Sequence, residues 1–65
     1  MIQLKEDAFL IYPYERLECV SEQQMIIQIK KKRLIIQGKK LCVDYLSPTE
    51  IAGKGEIEGV QFLSI

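Results

Sequence analysis

The chain has 65 residues, 48% of them apolar, with nine basic and nine acidic side chains, two cysteines and no histidine. Its length leaves room for one domain at most, and its apolar content argues against a disordered tail. The balanced charge removes any global field that would steer it to nucleic acid or an anionic membrane, and the missing histidine removes both the usual base at neutral pH and the commonest zinc ligand.

The opening segment, Met1-Ile2-Gln3-Leu4-Lys5-Glu6-Asp7, lacks a charged stretch followed by a long apolar run and so does not read as a secretion signal. Residues 1–7 are expected to be either loosely ordered or an edge strand, and the whole of 1–65 is read as a single β domain. Apolar residues then come in short bursts. Ala8 to Tyr12 is stopped by Pro13. Leu17 to Val20 ends at Ser21, and Met25 to Ile29 ends at Lys30-Lys31-Lys32. Leu34 to Ile36 ends at Gly38, Leu41 to Leu46 at Ser47-Pro48, and Ile51 to Ile65 is broken by Gly53, Gly55 and Gly59. Short bursts rich in β-branched residues, with a turn signal every eight to twelve positions, predict an all-β fold. The expected form is a small antiparallel meander or roll of five to seven short strands. A short β-solenoid-like stack is the alternative, because the bursts recur at a similar spacing. Hairpin-length gaps favour the meander, since parallel neighbours need longer crossovers.

Alternation within the bursts assigns faces. Leu17 and Cys19 are expected on one face, Met25, Ile27 and Ile29 on another, and Leu41, Val43 and Tyr45 on a third. Gly38 is expected in a tight hairpin between two strands, and Gly55 and Gly59 at a bulge or a close backbone approach. Ser47-Pro48-Thr49-Glu50 has the form of a first helical turn, with Ser47 as its cap.

Signals for catalysis are sparse. Cys19 and Cys42 stand 23 positions apart without a CxxC neighbour, so they read as reduced cytoplasmic thiols, Cys19 as a small core residue. Gly53-Lys54-Gly55 lacks the spacing of a phosphate-binding loop. Glu56 and Glu58 flank Ile57 as a solvated strand face. No catalytic residue, cofactor or metal is assigned, and the chain is read as a non-enzyme. The basic residues Lys30, Lys31, Lys32 and Arg33, with Lys39 and Lys40, are the candidates for contact with an anion or nucleic acid. Read without function they are a charged hairpin tip that keeps an edge soluble, and no aromatic residue interleaves the run. Tyr12, Tyr14, Phe62 and Ile65 are the candidate interface residues, since tyrosine suits interfaces and a terminal strand this apolar either docks in the sheet or meets a partner.

From Glu22 onward, Ile36-x-Gly38, Leu41-x-Val43, the acidic connection around Glu50 and Gly55-x-Ile57 with the terminal aromatic Phe62 resemble the YabP/YqfC family of small sporulation proteins. The likeness covers about three quarters of the chain; the family often has glycine where Lys31-Lys32-Arg33 stands. It implies a cytoplasmic protein of the mother cell of a sporulating bacterium, associated with spore envelope or coat formation, and it carries no catalytic residue. Sixty-five residues build a small interior, so the expected partner is a second copy or another protein, a membrane-associated one included. A small nucleic-acid-binding β domain is the rival reading.

Overall fold

The computed structural model describes residues 1–64 as six strands: β1 (Ile2–Leu4), β2 (Ala8–Ile11), β3 (Arg16–Val20), β4 (Gln24–Ile29), β5 (Lys32–Leu46) and β6 (Ile51–Ser64). They form one sheet in the order β1-β2-β6-β5-β4-β3, and every neighbouring pair is antiparallel. The fold is therefore all-β and meander-like, with no parallel stacking of the solenoid kind. The strands are less uniform than expected, because β5 has 15 residues and β6 has 14.

The long β5–β6 hairpin organises the rest. Its loop end, Cys42–Leu46 with Ile51–Lys54, is extended on one side by β2 and then β1. Its open half, Lys32–Gln37 with Gly59–Ser64, is extended on the other side by β4 and then β3. Phe9 and Ile11 of β2 nevertheless share one buried cluster with Met25 and Ile27 of β4, strands that are not neighbours in the sheet. The sheet thus folds over itself along the middle of the hairpin. Leu34, Ile36, Leu41 and Ile51 complete the core, and all eight side chains are at most 4% exposed. Burying an aliphatic or phenyl group of this kind contributes roughly 1.5–3 kcal/mol.

Extra residues in the ladder produce the fold-over. Between Lys39↔Glu56 and Cys42↔Lys54, β5 advances three residues while β6 advances two. Lys40 takes a left-handed conformation (φ 55°), and Gly55 opposite it has φ 145°. The inserted residue changes the parity of β5: Leu34, Ile36 and Gly38 face inward, and then Leu41 does. Gly55 has no substitute there, because a Cβ would lie 2.8 Å from both the Leu41 Cα and the Lys40 carbonyl oxygen, in a region closed to side-chain-bearing residues. Nearby, β6 carries Glu58 as an extra residue between Gln37↔Gly59 and Gly38↔Ile57, and a Cβ on Gly38 would drive into the Glu56 carbonyl.

Several sequence expectations change accordingly. Gly38 is not in a hairpin: the Leu34–Ile36 and Leu41–Leu46 bursts are one bent strand, and Gly38 is where two backbones approach closely. Tyr45 does not share a face with Leu41 and Val43, because Asp44 is a further extra residue; Tyr45 pairs with Ala52 and is 52% exposed. Leu17 and Cys19 lie on opposite faces, because Glu18 is inserted between Leu17↔Ile27 and Cys19↔Ile26. Cys19 is half-buried on the outer face and not a core residue. Ser47 caps no helix. It heads the β5–β6 loop, where its Oγ accepts from the backbone amides of Thr49 (3.3 Å) and Glu50 (2.9 Å).

Candidate functional site

The six basic candidates do not form one patch. Lys30 and Lys31 make the two-residue connection between Ile29 and Lys32, with Lys31 left-handed (φ 59°). The turn is thus Lys30-Lys31, one position before the expected Lys31-Lys32-Arg33. Arg33 is drawn back to the sheet, its Nε donating to Glu18 Oε2 of β3 at 2.8 Å. Lys39 and Lys40 lie six and seven residues beyond Arg33 along β5, on the order of 20 Å of extended strand. Lys39 meets Glu58 at 3.6 Å. Lys40 stands over an open depression lined also by Glu6, Asp7, Lys54 and Glu56, where acidic groups offset the basic ones. Three lysines at a turn, without an ion pair among the described residues, are a short electrostatic footprint, and opposite charges neutralise most of the others.

The aromatic candidates divide as well. Tyr14, in the β2–β3 connection, packs against the core, and its hydroxyl donates to the Ser47 carbonyl at 2.6 Å. It ties the β2–β3 connection to the β5–β6 loop. Tyr12 is half exposed and lines a cleft of about 470 Å³ between Met1–Ile2, Pro13–Tyr14 and Ile29–Lys30. Phe62 is 50% exposed on β6, with Val60 (39%) and Leu63 (40%) beside it. Ile65 lies outside the described residues.

Those three β6 residues occupy the open part of the sheet. The β1–β2 connection follows β6 as far as Ile57, through Gly55 N donating to Asp7 O (3.1 Å) and Ile57 N to Glu6 O (2.9 Å). Beyond that point, Gly59–Ser64 pairs with β5 on one side and, among the described residues, with no strand on the other. A free edge presents alternate N–H and C=O groups ready for another strand. The other free edges are protected. β1 is three residues long, β3 carries Arg16, Glu18 and a bulge, and the outer side of Cys42–Leu46 carries Asp44. The sequence Gly59-Val60-Gln61-Phe62-Leu63-Ser64 has no charge, no proline and no bulge. The sequence pointed to Phe62 and the apolar terminus from Phe62 to Ile65 but not to Val60 and Gln61. Their run of neutral residues was the available signal, and only the topology shows which side of it is bare.

Among the described residues no group of three Cys, Asp or Glu side chains is placed to share a metal ion, and no helix is long and apolar enough to cross a membrane. A scan against protein-family models and searches of curated proteins and of solved structures return no match to this chain.

Proposed function

We propose that the protein is a non-catalytic interaction module that works by strand addition, self-association included, and that it belongs with the small structural proteins of spore envelope or coat formation that the Ile36-x-Gly38 and Leu41-x-Val43 pattern resembles. One observation carries the interaction reading: the neutral edge Gly59–Ser64, which meets no strand on its outer side among the described residues, with Val60, Phe62 and Leu63 exposed along it. Strand addition uses such an edge well, since backbone hydrogen bonds supply affinity and alternate side chains supply selectivity. The spore-envelope reading rests on the sequence pattern, whose motif residues Ile36, Gly38, Leu41, Val43, Gly55, Ile57 and Phe62 lie on the β5–β6 hairpin that forms the edge.

Six residues of edge bury less than the roughly 1,200–2,000 Å² of a standard stable interface, so association is expected to be weak and concentration-dependent. The test is solution mass by light scattering from micromolar to about millimolar protein. A mass that climbs with concentration, at both low and high salt, supports the proposal. A strict monomer across the range refutes self-association. Retardation of RNA or DNA that vanishes steeply with salt would instead favour the basic turn as the working surface.

A further inference from the structure

We infer that the occupant of the β6 edge is a second copy of this chain, paired antiparallel to the first about a two-fold axis at Gln61. The inference rests on the interaction reading above and names its partner and register. It follows from reading the rows of the sheet outward to the edge.

On the core-facing side, one row runs Leu17–Ile27–Leu34–Phe62 and the next runs Val20–Met25–Ile36–Val60. Ile27, Leu34, Met25 and Ile36 are fully buried, whereas Phe62 and Val60, at the ends of their rows, are 50% and 39% exposed. An antiparallel second copy with Gln61 opposite the partner's Gln61 sets Phe62 opposite the partner's Val60, and Val60 opposite the partner's Phe62. Directly opposed residues of an antiparallel pair share a face. The first row then runs without a break through Phe62 and the partner's Val60 into the partner's core. On the outer face the row Cys19–Ile26–Ile35–Gln61 meets its own image, and Leu63 faces the partner's Gly59, which leaves room for it.

Neighbouring registers are poorer. Setting Phe62 opposite the partner's Phe62 places Val60 against the partner's Ser64, whose row continues to Lys32. Setting Val60 opposite the partner's Val60 brings Phe62 against the partner's Glu58, the extra residue that is ion-paired with Lys39. Only the Gln61 register matches apolar to apolar along both rows and opposes no like charges. A charged partner gains nothing from this edge, because Gly59–Ser64 offers it no opposite charge. A second copy, carrying the same neutral edge, has nothing to repel.

Cysteine pairs read the register directly. Facing residues have Cα atoms about 4.5–5.5 Å apart, within disulfide reach, whereas a shift of four residues along the strands separates two positions by roughly 13 Å. In a Cys19→Ala, Cys42→Ser background, Gln61→Cys should form a disulfide-linked dimer under mild oxidation. Leu63→Cys alone should not, but an equimolar mixture of Leu63→Cys and Gly59→Cys should. Gly59 tolerates the change, since its added Cβ would meet nothing closer than the Gln37 side chain at 3.5 Å. Far-UV circular dichroism confirms that each variant is folded, and the mixed pair reads the register independently should Gln61→Cys fail. If wild-type mass rises with concentration while neither arrangement cross-links, another register or surface associates: the Gln61 register is overturned and self-association stands. If the mass never rises, the register and self-association fall together.

Discussion

The bend in the β5–β6 hairpin decides which part of β6 is left bare, and two substitutions across it should have opposite signs. Gly55→Ala places a methyl group 2.8 Å from two backbone atoms of β5 at φ 145°. Backbone strain in such a region costs about 1–3 kcal/mol, and the contact falls on backbone that cannot rotate away. About 3 kcal/mol of destabilisation is expected, against a total stability of roughly 3–10 kcal/mol for a chain of this length. Lys40→Gly acts on the facing residue. A left-handed L-residue costs roughly 1–2 kcal/mol, and removing the side chain gives back that strain less the roughly 0.5–1 kcal/mol of extra entropy glycine loses on folding. The net gain is about 0.5–1 kcal/mol, or about 2–8 °C in melting temperature for a domain this small. The assay is thermal and urea unfolding followed by far-UV circular dichroism at one fixed protein concentration, because any self-association makes the midpoint concentration-dependent. A Gly55→Ala protein melting within about 2 °C of the parent, or a Lys40→Gly protein melting below it, would show that the inserted residue does not hold the bend as described.

Two further outcomes follow from the core and its margin. Ile27→Ala empties a fully buried position beside the open half of the hairpin and should cost about 2–5 kcal/mol, enough to unfold much of the population near physiological temperature; urea midpoints would register it, and a loss below about 1 kcal/mol would contradict the packing. Tyr14→Phe removes only the 2.6 Å hydrogen bond to the Ser47 carbonyl and should cost about 1 kcal/mol without changing the denaturant slope, with hydrogen exchange accelerated in the Ser47–Glu50 loop.

The fold class was legible because strands reveal themselves locally. Period-two alternation in Met25–Ile29 and the polar residues around Ser21 reported β4 and its preceding turn without help from the rest of the chain. Gly38 misled because a glycine between two apolar bursts has the same local appearance whether the chain reverses there or merely approaches another backbone. Only the partner strand, with the Glu56 carbonyl pressed against it, tells the two apart. The same limit explains Tyr45 and Cys19. Alternation was extended across Asp44 and Glu18, and an extra residue, invisible in a list of polar and apolar positions, exchanges the two faces. The basic residues were legible as a charge run but not as separate pairs, since Arg33 finds Glu18 fifteen positions earlier and Lys39 finds Glu58 nineteen positions later.

The bulges link these misreadings to the site. Without the insertion near Lys40, the inward face of β5 would alternate straight through Lys40 and Cys42, placing an ammonium group where Leu41 now sits, at a cost no core of eight side chains could absorb. The insertion at Glu58 does the corresponding work on β6. Ile57 faces the core before it, Val60 and Phe62 after it, so the apolar residues of the terminal half stay on the side of the sheet where Leu34 and Ile36 lie. Had Glu58 not been extra, Gly59, Gln61 and Leu63 would occupy that side, and the rows ending at the edge would be polar or empty. The exposed apolar ends of those rows are thus a consequence of the insertion that bends the hairpin, and deleting Glu58 should abolish both the continuity of the rows and any association through them, even in a chain that still folds.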